Sequence, residues 1–341
     1  MTTRFSVIIP VYNRPDELEE LMESLSVLKS RKSGNNSAAG NFEVIVVEDG
    51  SKEKSDRVCS KYSDVLEVQY LYRENAGPAA ARNTGAASAK GDWLIFFDSD
   101  CVIPEHYFET VEQVLSSQEA DFFGGPDRAA ASFSPVQKAI DYTMTSFLTT
   151  GGIRGGKKQL DRYYPRSFNM GVKKAAFDKT GGFSELRFGE DLDLSMRLME
   201  NGCHSVLIED AWVYHKRRTD LKKFFKQVYN SGMARVVLNR LHPGTMKALH
   251  LLPSLFVLYL IFAVVSLPFA GGPFFYPVLI LLLILFIDAM RWTGSLAAAL
   301  LAPAAGVVQL TGYGIGLIHA AVLIHVLGRK QAKAFESTFY K

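Results

Sequence analysis

Asp98-Ser99-Asp100 sets two carboxylates one residue apart, directly after the apolar run Trp93–Phe97. Alternate side chains of an extended segment point the same way, so both can address one partner. Carboxylates that close repel unless a cation lies between them. Mg2+ or Mn2+ takes such oxygen ligands and keeps positions open for phosphate oxygens. A polar turn closing a strand has the same residue types. Glu190-Asp191 is a second acidic pair, ahead of Leu192–Leu198. It suits a helix start, where the dipole favours carboxylates, or a site, towards which the preceding Gly181-Gly182-Phe183 points. In Asn75–Gly85, Gly77 and Pro78 open a helix and small residues allow close approach. Arg82 and Asn83 on its second turn can meet phosphate or sugar oxygens, or Arg82 can sit in a structural ion pair. His215 ends the apolar Trp212-Val213-Tyr214. It is either a third metal ligand or a locally hydrogen-bonded histidine.

These groups need a scaffold, and the first 215 residues supply strands alternating with helices. Phe5–Tyr12 is a Val- and Ile-rich run suited to a buried parallel strand, and Pro15 can open the helix that follows. That helix runs to about Leu28, with Leu18, Leu21, Met22 and Leu25 on one face. Strands are expected at Phe42–Val47, Leu66–Tyr72 and Asp92–Phe97, and helices at Lys52–Tyr62, Pro78–Ala89 and after Pro104. The rhythm implies a doubly wound α/β sheet, in which ligands bind beyond the carboxyl ends of the strands. Tyr12-Asn13-Arg14, Glu48-Asp49-Gly50-Ser51 and Asp98-Ser99-Asp100 all fall at such ends. Neither G-x-G-x-x-G after the first strand nor G-x-x-x-x-G-K-[ST] is present, which disfavours a Rossmann dinucleotide site and a P-loop.

The chain has 341 residues, 48% apolar and 21% charged, which excludes a disordered chain. Three widely spaced cysteines exclude a zinc ribbon and a disulfide framework, and suit a reducing cytosol. Ala248–Ile287 and Trp292–Gly328 contain no Asp, Glu, Lys or Arg over 40 and 37 residues. A membrane helix needs about 20 apolar residues. Residues 1–215 carry a net charge of −8 and residues 216–247 a net charge of +8. The basic block therefore precedes the first apolar run, as in a segment held at an anionic cytosolic leaflet. No signal peptide is evident. The expected layout is a cytosolic catalytic domain over 1–215, a basic juxtamembrane helical segment over 216–247, about three transmembrane helices over 248–328 and a basic tail over 329–341. Two spans fit Ala248–Ile287, with a turn at Pro268–Pro273. A break near Ala302–Gly306 leaves Ala304–Gly328 as the third. Three spans put the C-terminus outside, whereas Arg329, Lys330 and Lys333 favour the cytosol. A re-entrant or broken last segment would reconcile the two. Gly312, Gly314 and Gly316 suit close helix contact.

The ordered set Pro10-Val11-Tyr12-Asn13, Glu48-Asp49-Gly50-Ser51, Gly77…Arg82-Asn83, Asp98-Ser99-Asp100, Gly181-Gly182-Phe183 and Glu190-Asp191 resembles family 2 glycosyltransferases over about residues 5–235. The resemblance implies the GT-A fold, inversion, a nucleotide-sugar donor (UDP- or GDP-sugar) and Mn2+ or Mg2+. It implies a nucleoside pocket at Pro10, Tyr12 and Asp49, with Asn13, Gly77, Arg82 and Asn83 also on the donor. Asp98 would face the ribose and the metal shell, Asp100 would ligate the metal directly, and Asp191 would be the catalytic base with Glu190 beside it. Phe168-Asn169-Met170-Gly171, with Gly182 and Phe183, would lie beneath sugar and acceptor. Processive relatives carry Q-x-x-R-W before a membrane helix, where this chain has Gln227-Val228-Tyr229-Asn230-Ser231. A single-sugar transferase is therefore expected, acting on a lipid-linked or membrane-proximal glycan at the inner (plasma) membrane, multi-pass, with no nucleic-acid partner. A polyprenyl-phosphate glycosyltransferase and a silent membrane scaffold are the alternatives.

Overall fold

The computed structural model describes residues 4–30, 41–128, 133–150, 163–216 and 218–329. The chain forms two compact units, residues 1–130 with 163–216, and residues 131–162 with 217–341. The segment 133–150, which the sequence reading leaves inside the catalytic domain, is thus part of the second unit.

In the first unit β1 (Phe5–Val11), α1 (Pro15–Ser30), β2 (Phe42–Asp49), α2 (Asp56–Lys61), β3 (Val68–Arg73), α3 (Pro78–Ser88) and β4 (Trp93–Phe97) alternate. β5 (Cys101–Val102), α4 (Tyr107–Ser117), β6 (Phe122–Gly124) and β7 (Asp127–Arg128) follow. The chain then passes through α5 (Pro135–Thr145) and α6 (Phe147–Thr150) of the second unit. It returns as β8 (Asn169–Lys173), α7 (Lys174–Thr180), α8 (Glu190–Glu200), β9 (Ser205–Leu207) and β10 (Val213–His215). The main sheet has the order β3-β2-β1-β4-β8-β6-β9, and β5-β10-β7 make a small second sheet. β1 to β4 are parallel, whereas β8 runs antiparallel to both β4 and β6.

Helices cover both faces of the parallel half, which is why β1, β2 and β4 are continuous apolar runs. One apolar cluster joins Val7 and Ile9 to Leu18, Leu21, Met22 and Leu25 of α1. The other joins Ile8, Ile45 and Val47 to Ala81 and Ala86 of α3. The small residues of α3 seat it on the sheet: a Cβ on Gly85 would lie 2.5 Å from Ile8 Cγ2 and 3.2 Å from Val47 Cγ2. The carboxyl ends of β2, β1 and β4, adjacent in the sheet, bring the three polar clusters onto one rim.

The second unit adds α9 (Leu221–Leu241), α10 (Ala248–Ala270), α11 (Tyr276–Thr293) and α12 (Leu296–Ala321). Among the described residues, three helical stretches are long and apolar enough to cross a membrane: Ala248–Ala270, Pro273–Thr293 and Leu296–Val326. The expected turn falls at Gly271-Gly272, with Gly271 at φ +68°. The expected break at Ala302–Gly306 is absent. α12 runs through Pro303 and continues into a π-helical turn at Val322–Val326. Ala302, Ala305 and Gly306 are buried against neighbouring helices, and this packing offsets the hydrogen bond that Pro303 cannot donate.

α9 and α12 touch backbone to backbone. A Cβ on Gly316 would collide with the Tyr229 carbonyl, and one on Gly232 with the Tyr313 carbonyl. Alanine is ordinarily the better helix former by about 1 kcal/mol. Gly316→Ala is nevertheless expected to destabilise the detergent-solubilised chain, by about 1–3 kcal/mol for an overpacked contact. Thermal unfolding measures this, and an unchanged or raised Tm would mean that the two helices are not in this contact.

Candidate active site

The loops after β1 and β2 are tied to each other before they meet any ligand. Asn13 has a left-handed backbone, φ +51°. Its N–H donates to Ser51 Oγ at 2.7 Å, and its Oδ1 accepts from Lys52 N at 2.7 Å and Glu53 N at 3.2 Å. Ser51 Oγ in turn donates to Glu48. Asp49 is 2% exposed and anchors the start of α3, accepting from Ala76 N at 3.1 Å and Gly77 N at 2.8 Å. Burial raises its pKa, and the two amides oppose the shift. Gly77 is held there at φ +93°. Asn13 and Asp49 therefore shape the loops with the atoms that the sequence reading gives to the donor. Pro10 and Tyr12 are half-buried beside them.

Three arginines and a histidine hold the remaining carboxylates. Arg82 donates from Nη2 to Asp98 Oδ1 at 2.7 Å and from Nη1 to Glu190 Oε1 at 3.0 Å. It is 3% exposed and lies over the Phe183 ring. Arg166 Nε donates to Asp191 Oδ2 at 2.6 Å, while Asp191 Oδ1 accepts from Leu192 N at 2.8 Å. Arg14 Nη1 donates to Asp100 Oδ2 at 2.7 Å. His215 Nε2 lies 3.1 Å from Asp100 Oδ1, and its Nδ1 lies 3.5 Å from Asp127 Oδ2. Its ring stacks on Phe168.

These environments separate the two acids at the start of α8. Burial and the charge of Asp191 raise the Glu190 pKa against the pull of Arg82. Burial also acts to raise Asp191, but Arg166 outweighs it and holds this carboxyl low and ionised. Burial opposes a charge on His215, yet Asp100 and Asp127 carry its pKa up to about 9. Gly189 precedes α8 with no side-chain cap, and Glu190, Asp191 and Asp193 fill the first turn.

Asp100, Cys101 and His215 bring potential ligand atoms within 4.8 Å of one another. A carboxylate oxygen and an imidazole nitrogen 3.1 Å apart match neighbouring positions of an octahedral ion with bonds near ~2.1 Å. Both donor types suit Mn2+. Burial pushes the Cys101 thiol pKa well up, which leaves it a poor ligand. Asp98 is not in this cluster and faces Arg82 instead.

Other expected residues have positioning roles. Asn83 Nδ2 donates to Phe183 O at 2.8 Å and Asn83 Oδ1 accepts from Phe183 N at 2.9 Å, which pins the Gly182-Phe183 loop to α3. Gly182 has φ +69°, and a Cβ there would lie 2.7 Å from Asn83 Oδ1. Asn169, Met170 and Gly171 are the buried start of β8, the strand part of the expected strand and loop. Asn169 accepts from Tyr107 Oη at 2.6 Å and donates to Ala211 O at 2.7 Å, so its polar groups are consumed inside the unit. Met170 lies in an apolar cluster, and Gly171 faces the Phe123 ring. Sequence reading gave no role to Arg14, Asp127 or Arg166. Arg14 stood in a marked strand-end cluster, but nothing in the sequence joins Arg166 to an acid 25 residues away.

Comparison with known proteins agrees with this architecture. An uncharacterized glycosyltransferase of Haemophilus influenzae is 33% identical over 198 residues, 57% of this chain and 62% of that protein. GgaB of Bacillus subtilis, a minor teichoic acid biosynthesis protein, is 25% identical over 222 residues, 63% of this chain and 23% of that one. The chain thus spans less than two thirds of these curated relatives. Among solved structures, the mannosyltransferase PcManGT of Pyrobaculum calidifontis, in complex with GDP-Man and Mn2+, superposes with a TM-score of 0.62 at 16% identity, over 90% of this chain and 87% of its own. S. aureus TarS 1-349 gives 0.50 at 18%, over 96% and 93%. These likenesses establish a GT-A fold. Residues 6–181, more than half of the chain, match Glycosyl transferase family 2, and the chain belongs to that family.

Proposed function

We propose that the chain is an inverting glycosyltransferase that moves one sugar from a nucleotide-diphospho-sugar to a hydroxyl of a lipid-linked or membrane-proximal glycan, at the cytosolic face of the inner membrane. The observation that carries this is the division of the carboxylates into two stations. Asp100 pairs with His215, and Asp191 is kept ionised by Arg166. In inversion the acceptor oxygen bonds to the anomeric carbon as the bond from that carbon to the diphosphate breaks, and the acceptor proton must leave. Asp191, ionised at neutral pH, takes that proton. Asp100 and His215 would hold Mn2+ or Mg2+, which when bound neutralises charge on the diphosphate. Arg82, fixed between Asp98 and Glu190, keeps α3 and α8 in register and adds positive charge at the same rim.

The complexes named for structural neighbours, GDP-Man with Mn2+ and UDP-GlcNAc, support a UDP- or GDP-sugar donor. The teichoic acid relative supports a surface-glycan acceptor. The apolar helices and the basic block before them support multi-pass attachment with the catalytic domain in the cytosol.

Asp191→Asn keeps the shape and removes the proton acceptor. Turnover is expected to fall on the order of a hundredfold or more, with donor affinity nearly unchanged. Product release and donor binding, measured side by side, check this. Wild-type turnover in a stable variant would favour a lipid-phosphate acceptor, which needs no strong base. No nucleotide release from the unmutated chain with any acceptor would favour a silent scaffold.

Asp100→Asn weakens a cation ligand while Arg14 and His215 stay in place. Calorimetric titration with UDP and GDP is expected to lose its dependence on Mn2+, with folding preserved. Unchanged metal dependence would remove Asp100 from the metal site.

A further inference from the structure

We infer that α12 does not cross the membrane: it lies along the cytosolic interface, and α10 and α11 alone form a two-span hairpin, which leaves the end of α12 on the same side as its start. The inference rests on the membrane attachment proposed above.

The first reason is what covers α12. Along its first half α5 packs on it, with Ala139, Ile140 and Tyr142 clustered against Ala299, Ala302 and Ala305. Gln309 Nε2 then donates to Thr149 O at 3.3 Å, just past α5. Along its second half α9 takes over. Gly312 faces Val228, Gly316 faces the Tyr229 carbonyl, and Met233 and Val236 cluster with Leu317, Ala320 and Leu323. α9 exposes Lys222, Lys223, Lys226 and Arg240. No stretch of about 20 residues of α12 is free to sit in hydrocarbon without taking α5 or the cationic α9 with it.

The second reason is the burial pattern. In its most apolar window Leu296–Val326 is 44% buried, against 17% for Ala248–Ala270 and 11% for Pro273–Thr293. The large exposed residues of α12 and its last turn, Leu296, Leu300, Ile315, Val322 and Val326, recur at helical spacing and make one narrow apolar stripe. With the rest of its surface covered by apolar side chains of α5 and α9, α12 has only this stripe to offer to lipid.

The third reason is where the hairpin meets α12. α10 touches it near its own start, where Ser254 Oγ donates to Gly314 O at 3.2 Å. α11 touches it in its second half, through Leu285 and Ala289. Towards the far ends, Val264, Val265, Phe269, Tyr276, Leu279 and Ile280 are exposed. Both legs thus leave α12 and join at Gly271-Gly272 away from it. Arg291 and Trp292, at the foot of α11, are interfacial types. This arrangement also removes the conflict over parity, because Arg329, Lys330 and Lys333 follow a helix that stays on the cytosolic side.

The test uses the full-length chain in bacterial spheroplasts, with Cys203→Ser removing the half-exposed native thiol. Gly272→Cys and Leu327→Cys place single reporters at the hairpin tip and after α12; a Cβ at 272 meets nothing within 4 Å, and Leu327 is 58% exposed. A membrane-impermeant maleimide is expected to label position 272 in intact spheroplasts and position 327 only after permeabilisation. Label at 327 before permeabilisation overturns the inference in favour of a third span. Protection of both positions, in a chain that resists alkaline carbonate extraction, overturns it as well, since the hairpin then does not cross. Release of the chain by carbonate fails the membrane attachment itself and is a separate result.

Discussion

The site depends on one buried cation. Arg82 reaches Asp98 after β4 and Glu190 at the start of α8, groups 108 residues apart in the case of Glu190. A guanidinium that is 3% exposed needs a carboxylate beside it, and here two share that role. Arg82 can reach both because α3 lies low on the sheet, and α3 lies low because Gly85 admits Ile8. Phe183 covers the guanidinium, and Asn83 on the next position of the same helix fixes Phe183. A glycine, an arginine and an asparagine on one short helix thus set the distance between the two halves of the site.

The other two guanidinium contacts differ in kind. The side chains of Arg14 and Arg166 are 37% and 33% exposed, against 4% for Arg82. Solvent screens such pairs, and a long side chain at the surface has room to move aside. Arg14 and Arg166 guard the two carboxylates that are proposed to meet a metal and an acceptor. Arg82 guards the two that hold the scaffold together.

Much of this was legible in the residues. The apolar runs before Asn13, Glu48 and Asp98 end where strands end, because buried parallel strands need continuous apolar sequence and their polar termini must lie at the rim. The acids at 98 and 100 stood out for the same reason, and those at 190 and 191 as a pair at a helix start. Their partners did not, since an arginine carries no local signature of the acid it will meet. The bridge that Asn169 makes from Tyr107 to Ala211 is equally invisible, since a polar residue at a strand start carries no mark of its partners. Pro303 was read as a break, although close packing by small residues lets a helix pass through it. The membership of 133–150 in the second unit had no local mark, because its apolar face fits any neighbour of the right shape.

That membership has a consequence for how the chain is made. Among the described residues, Ala139, Ile140 and Tyr142 of α5 share an apolar cluster with residues of α9, α11 and α12. The ribosome delivers α5 about 150 residues before the start of α12. At roughly 5–20 residues per second, this leaves an apolar helix without its final neighbours for on the order of ten to thirty seconds. During that interval the first unit must close while the segment between β7 and β8 still lacks later helices of its own unit. Until then the apolar face of α5 is exposed to whatever meets the nascent chain first. A chain stopped after Lys216 would keep α5 without α9, α11 and α12, so a simple cut there does not separate the two units.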